Sequence, residues 1–450
     1  MNAAVQNTAQ SADAGRTVDV TAVIDSAPLG RFQIFSVVLC GLVAMLDGFD
    51  TQSVFLVAPV LAEVWNVAPG DFGPIFGAGL VGILCGQFIA GPLSDRYGRR
   101  KVILGCTLMF ALLTFATAAA TSLQMLLLLR FLTGIGLGGA TPNIIALTAE
   151  FSPQRLRATA ITVMFAGFPL GAAIGALISS VIIPAFGWHS VFILGGVIPL
   201  VLLAVLAMRL PESVQFLVAA GRPQQEIGAL LDRLVPDRER TTGERYVLKE
   251  QKLEGFSMLH LFRDGRAMKT LLLWVAFFMS LLMIYFLMSW LPLALKQAGA
   301  SITSALTASV FLNLGGAIGG IVLGRLIDRL DAAAVLCAGY VIAGVSTALI
   351  GQVESHVVTL MTCVFIAGFF TIGGQTAMNA LTASIYPTQA RATGLGTALA
   401  VGRIGSVIGP VVGGLLMAAM VTTEKLFLLS ALPAVIACVA LLVLRVLLRR

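Results

Sequence analysis

Apolar residues fill the chain in long blocks separated by short polar connections, from about residue 31 to the C-terminus. Twelve blocks are long enough to cross a hydrocarbon core about 30 Å thick as helices, the form in which every backbone polar group is satisfied within its own segment. They predict spans at about 31–63, 72–94, 101–120, 122–149, 156–184, 188–210, 268–296, 303–327, 332–351, 356–384, 388–420 and 424–447. Most connections are very short. The exception is 211–267, which collects charge and carries an amphipathic helix pattern near Gln224–Leu234. The expected organisation is a tail at 1–30, a six-helix bundle at 31–210, a linker at 211–267 and a second six-helix bundle at 268–450. The fold class is all-α and membrane-embedded.

Composition strengthens this reading. With 58% hydrophobic and 11% charged residues, and a mean hydropathy of +0.95, the chain cannot be a water-soluble globular domain. The net charge of +7 is no sign of nucleic-acid binding, because the basic residues lie mostly in connections between apolar blocks. Arg96, Arg99, Arg100, Lys101, Arg155, Arg157, the linker arginines, Arg325, Arg329, Arg391, Arg445, Arg449 and Arg450 fall on one side. Lys296 and Lys425 fall on the other. The positive-inside rule makes the first side cytoplasmic, with both termini and the linker. Residues 1–30 lack a basic, apolar and cleavable signal pattern, so a soluble tail and a retained first span are expected. The six cysteines all sit in spans without a Cys-x-x-Cys pair or a histidine partner, so no disulfide framework and no metal site are expected. No nucleophile–base set or nucleotide motif is visible. The chain reads as no enzyme, with no cofactor.

The halves repeat at an offset of about 233 residues. Asp95 and Arg96 recur as Asp328 and Arg329, Pro153 and Arg157 as Pro387 and Arg391, and Gly171 and Gly175 as Gly405 and Gly409. Parallel repeats with a site between them near the midplane are a common transporter plan. The stretch Gly91, Asp95, Arg96, Gly98, Arg99 is the strongest motif. Its glycine allows close helix contact, and its aspartate suits a helix N-terminus or an arginine across the half-to-half interface. A gating role is expected, although a basic loop also sets topology. Glu150 with Arg157 reads as gate or interface charge.

Four charges lie inside spans and do not repeat: Asp47 and Asp50 in span 1, Arg130 in span 4 and Arg403 in span 11. Ionisable groups at that depth cost several kcal/mol unless paired, hydrated or protonated, so they are functional candidates. The i, i+3 spacing puts both aspartates on one helix face, with Gly48 leaving room for a close neighbour. Two carboxylates one turn apart in low dielectric cannot both ionise cheaply, so one is expected to hold a proton. The bland alternative is a permanent structural ion pair with an arginine.

These residues carry a family resemblance. The two loop motifs, Arg130 with Gly134 and Gly136, Glu150–Pro153–Arg157 and Pro211–Glu212–Ser213 resemble the major facilitator superfamily. Asp47–Gly48–Phe49–Asp50, Gly187–Trp188–His189–Ser190, Trp290–Leu291–Pro292, Tyr386–Pro387–Thr388–Gln389 and Gly402–Arg403 resemble its aromatic acid:proton symporters, over about residues 20 to 448. The resemblance implies a bacterial inner-membrane carrier importing a benzoate-type acid, with protons as coupling ion and no other cofactor. Its partners would be a small aromatic carboxylate and the lipid bilayer, not nucleic acid, and it would work as a monomer.

Within that frame Asp47 and Asp50 are proton-site candidates, and Arg130 and Arg403 carboxylate-binding candidates, since guanidinium matches carboxylate in bidentate fashion. Phe165, Phe168, Tyr285, Trp290, Phe369 and Phe370 are candidates for the ring slot, and Asn143, Gln375 and Asn379 for ring hydroxyls. A drug:proton antiporter is disfavoured, because the Gly-Pro-x-x-Gly-Gly element lies at Gly409–Gly414 in span 11 and not in span 5. A sugar or other metabolite carrier has no need of two intramembrane arginines. A sensor on the same fold is the alternative from another class, and the short tails leave it little room.

Overall fold

The computed structural model describes residues 17–236, 238, 244–248, 261–262, 266–353, 356–386 and 388–449. Among these, twelve helices are long and apolar enough to cross a membrane: Arg31–Val64, Pro69–Tyr97, Arg99–Thr117, Leu123–Phe151, Arg157–Phe186, His189–Arg209, Ala267–Gln297, Ile302–Ile327, Ala332–Ile350, Val357–Thr382, Thr393–Ala418 and Thr423–Leu448. They are spans 1 to 12 below. Each lies within a few residues of its predicted block. Two are interrupted: span 5 between Phe165 and Gly167, and span 12 at Ala431.

Glycine is what lets these helices approach closely. In the first half a Cβ on Gly82 or Gly86 of span 2 would fall 2.1 or 2.2 Å from a carbonyl oxygen of span 4. In the second half a Cβ on Gly315 or Gly319 of span 8 would fall 2.2 Å from the Phe365 or Phe369 carbonyl oxygen of span 10. A Cβ added on Gly171 of span 5 would clash with the Met45 carbonyl oxygen of span 1, and one on its repeat Gly405 of span 11 would clash with the Phe278 carbonyl oxygen of span 7. The sequence repeat is therefore a packing repeat: 2 against 4 and 1 against 5 in one bundle, 8 against 10 and 7 against 11 in the other.

Named contacts between the bundles lie toward the end opposite the termini. Gly73 of span 2 packs on Gly414 of span 11, whose Cα would lie 3.0 Å from an added Cβ. The Phe76 and Trp290 rings meet edge to face with centroids 5.3 Å apart. Asn313 Nδ2 donates to Gln52 Oε1 at 2.9 Å, and Lys296 pairs with Glu63 at 3.0 Å. Residues 48–59 of span 1 and 283–295 of span 7 are buried on all sides, whereas the terminal-side parts of both helices alternate between buried and exposed. The bundles close at one end and part toward the side holding the termini and linker.

The tail is docked at its inner part. Strand β1 (Thr17–Asp19) pairs in parallel with β2 (Arg245–Val247) of the linker. The helix Val20–Ser26 follows, capped by Asp19, with Val20 and Ile24 buried. Asp25 accepts from the Gln154 backbone N–H at 2.8 Å and pairs with Arg157 at 3.3 Å. Two apolar residues one turn apart make too short a stripe to register beside twenty-residue blocks. The amphipathic helix Gln224–Leu234 forms as expected, burying Ile227, Leu230, Leu231 and Leu234.

The packing repeat makes a contrast test. Gly171→Ala should overpack the span 1–span 5 seam, cost about 1–3 kcal/mol and lower the thermal midpoint of the purified protein by several degrees. Gly105→Ala, where an added Cβ meets nothing within 4 Å, should leave the midpoint within about a degree.

Candidate functional site

Asp47 and Asp50 leave span 1 in different directions. An i, i+3 pair is offset by about 60° around a helix. Span 1 borders both the bundle interior and the space between bundles, so that offset separates the two carboxylates. This corrects the expectation that they share one environment. Asp50 is 1% exposed and turns into the first bundle, whereas Asp47 is half-buried.

The inner pair is fully enclosed. Arg130 Nη1 lies 3.3 Å from Asp50 Oδ2, and the arginine is 4% exposed. Thr114 of span 3 donates to the other Asp50 oxygen. Arg130 Nη2 donates to Thr117 at 2.7 Å and to Thr133 at 3.3 Å. Its guanidinium lies 5.1 Å from the centre of the Phe192 ring of span 6. A charge pair removed from water persists only when its remaining donors and acceptors are also satisfied. Three threonines do most of that here. They were not singled out in the sequence because threonine is common in spans. The available signal was the i, i+3 placement of Thr114 and Thr117 on one face of span 3.

The outer carboxylate has softer partners. Thr51 donates to Asp47 Oδ1 and Thr141 to Oδ2, each at 3.1 Å. Arg403, from the other bundle, is near enough for its charge to act on Asp47. Arg403 is half-buried and donates from Nη1 to the Tyr285 hydroxyl at 3.1 Å. That bond takes one of five guanidinium N–H groups. Arg130 and Arg403 thus have different status: one is committed to Asp50, the other stands at the interface of the halves beside a tyrosine.

The remaining candidates scatter. Trp290 is fully buried, its indole N–H bonded to the Pro410 carbonyl at 3.0 Å, so it braces span 7 against span 11. Asn143 donates to the Gly139 carbonyl of its own helix at 2.9 Å. Phe168 is half-buried, with its carbonyl oxygen 2.0 Å from the place a Cβ on Gly48 would take. Phe165 is exposed. Phe369 and Phe370 meet edge to face, and Phe370 also packs on Gly339 of span 9. Gln375 Nε2 bonds Asn379 Oδ1 at 3.3 Å, and Gln375 Oε1 is buried without a partner. The Gln52–Asn313 pair was missed because its two amides are 261 positions apart in sequence.

The gating candidates of the first half gather at its terminal-side end. Arg99 pairs with Glu150, and Glu150 accepts from the Ser213 hydroxyl. The Arg100 backbone N–H donates to Glu212 at 3.0 Å. Gly98, at φ +93°, lies against the same Glu212 carboxylate, a position where a side chain would be strained. Arg157 bonds Asp25 and the Ala149 carbonyl, not Glu150. Gly91, Asp95 and Arg96, and in the second half Asp328 and Arg329, are exposed. The Arg391 side chain lies outside the described residues.

The Major Facilitator Superfamily model matches residues 40–331 and 273–450. The chain is 38% identical over 426 residues to the 4-hydroxybenzoate transporter PcaK of Pseudomonas aeruginosa, covering 94% of this chain and 95% of that protein. It is 39% identical over 426 residues to a gallate transporter of Pseudomonas putida, covering 94% of each. Its fold matches that of a bacterial homologue of the human lysosomal transporter Spinster, with a TM-score of 0.73, 17% identity, and coverage of 93% of this chain and 98% of the other.

The buried pair makes a stability test. Asp50→Asn or Arg130→Gln leaves one charge enclosed without its partner and should cost about 3–5 kcal/mol. The double variant should recover much of the loss. Thermal unfolding of the three purified variants checks this, and wild-type midpoints in both single variants would contradict an enclosed ion pair.

Proposed function

The chain belongs to the major facilitator superfamily, and on that premise we propose that it imports an aromatic carboxylate together with protons by alternating access. The observation that carries this reading is the half-buried Arg403–Tyr285 group facing Asp47 across the two bundles. An aromatic acid is an anion at neutral pH. A membrane potential negative inside opposes its entry by about 2.3 kcal/mol per charge per 100 mV. Each proton carried with it removes one such penalty. The carrier therefore needs a cation for the carboxylate, a proton site and an apolar place for the ring.

Arg403 and Asp47 meet the first two needs, because the substrate carboxylate and Asp47 compete for the one guanidinium. With no substrate, Arg403 counters the ionised Asp47. When a carboxylate takes the guanidinium, Asp47 loses its counter-charge in a half-buried setting and takes a proton. Substrate and proton then load together. Arg130 holds Asp50 while that carboxylate is ionised, which ties span 4 to span 1. Tyr285 orients Arg403, and Gln375 Oε1 offers an acceptor to a ring hydroxyl. The names of the similar transporters, which specify 4-hydroxybenzoate and gallate, support a hydroxylated benzoate as the cargo class.

The lysine and arginine distribution supports cytoplasmic termini and linker, and the bacterial transporters that the chain resembles support an inner-membrane location. On that orientation the bundles part toward the cytoplasm, and the Gln52–Asn313, Phe76–Trp290 and Glu63–Lys296 contacts close the outer side. In the opposite state the exposed Asp95, Arg96, Asp328 and Arg329 would meet across the cytoplasmic ends. The carrier works as a monomer, each chain holding a whole site.

Proteoliposomes checked for proton influx on adding benzoate, hydroxybenzoates, gallate or a sugar give the direct test. Influx is expected with at least one acid and none with the sugar. Asp47→Asn should lower accumulation at least tenfold while the protein remains folded and inserted. Normal accumulation by that variant would remove Asp47 from the proton path. No influx with any acid, from folded wild type, would leave another cargo or a sensor.

A further inference from the structure

A cavity of about 20 Å³ lies beside the inner ion pair, lined by Asp50, Thr51 and Phe55 of span 1, Phe76 and Gly79 of span 2, and Arg130 and Thr133 of span 4, among others. That is room for a water molecule, and a buried water needs two to four polar partners. The wall supplies them. Arg130 is 4% exposed, and its Nε–H is buried without a partner. A guanidinium N–H left in this way costs more than an ordinary missing hydrogen bond. Thr51, Thr133 and the Asp50 carboxylate complete the polar lining. Thr51 also donates to Asp47 Oδ1 at 3.1 Å. One threonine thus touches the outer carboxylate and borders the cavity that holds the inner one.

We propose that this cavity binds a water which, with the Thr51 hydroxyl, forms a proton relay between Asp47 and Asp50. The inference rests on the proton-coupled reading above and adds the path within it. The Asp47 carboxyl O–H breaks as its proton passes to Thr51 Oγ. Thr51 gives its own hydroxyl proton to the water, and the water gives one to an Asp50 oxygen. One O–H bond is lost at Asp47 and one is formed at Asp50, with Thr51 and the water regenerated. The Arg130 Nε–H anchors the water oxygen. The charged and hydroxyl groups facing this path are Arg130 and Thr114 at Asp50, and Arg403 and Thr141 at Asp47. Asp47 thereby exchanges protons with the open path, while Asp50 stores one away from it.

Two substitutions test the relay from opposite directions. Thr51→Val keeps the shape and removes the hydroxyl. Gly79→Ala narrows the cavity: its added Cβ meets only the Arg130 carbonyl oxygen at 3.6 Å and Arg130 Cβ at 4.0 Å, so the methyl fits without displacing backbone. Each variant is reconstituted and read in two ways: net uptake driven by a proton gradient, and exchange of labelled for unlabelled acid without a gradient. Exchange returns the carrier still protonated and needs no transfer along the relay. Net uptake should fall at least tenfold further than exchange in both variants, and Thr51→Ser should restore it to within about threefold. Equal losses in both readouts would assign Thr51 and Gly79 a structural part only and overturn the relay. So would wild-type net uptake in either variant. If Thr51→Val does not fold, Gly79→Ala alone decides. A wild-type protein that moves acid with no proton influx would instead refute proton coupling itself.

Discussion

An arginine or an ionised aspartate enclosed alone within a helical bundle is costly, and the first half of this protein is arranged around the pair that lowers that cost. Asp50 and Arg130 are almost inaccessible to solvent, so each remaining lone pair and N–H demands a partner. Thr114, Thr117 and Thr133 meet part of that demand from two neighbouring helices. The remainder is the Arg130 Nε–H beside a water-sized cavity. Because this pair is internally balanced, the other aspartate and the other arginine are left for the interface between the halves.

The scaffold and the chemistry follow different symmetries. Glycines at matching positions set span 2 on span 4 and span 5 on span 1, then span 8 on span 10 and span 11 on span 7. Backbone contact of this kind depends only on the absence of a side chain, so it survives in both halves. The charges do not repeat. Ser280 and Met283 stand at the positions related to Asp47 and Asp50, and Ser280 accepts a hydrogen bond from Tyr340 at 2.7 Å. One bundle holds both carboxylates, while the other contributes Arg403 and Tyr285. A ligand lying between them would touch unlike surfaces.

The docked tail joins the rigid parts at the terminal-side end. β1 is held by the linker strand β2, and Asp25 holds Arg157 at the start of span 5. Arg99 and Arg100, through Glu150, Ser213 and Glu212, tie the start of span 3 to the ends of spans 4 and 6 beside it.

Much was legible in the sequence because its physical cause is local. Apolar blocks long enough to cross a bilayer, the basic residues between them, and glycines repeated at one offset fixed the class, the twelve spans and the two-fold plan. Burial cost alone marked Asp47, Asp50, Arg130 and Arg403. What span 1 could not disclose was that 60° of helix rotation would send its two aspartates to different surroundings. Nor could it show that Arg130 belongs to Asp50 and Arg403 to Tyr285. The threonines around the pair, the Gln52–Asn313 contact and the use of Trp290 as a brace were equally hidden. Such pairings join residues tens to hundreds of positions apart, and their energies depend on which groups are left without water once the helices have met. The sequence by itself determined which charges had to be explained; only the packed bundles decided which partner each one has.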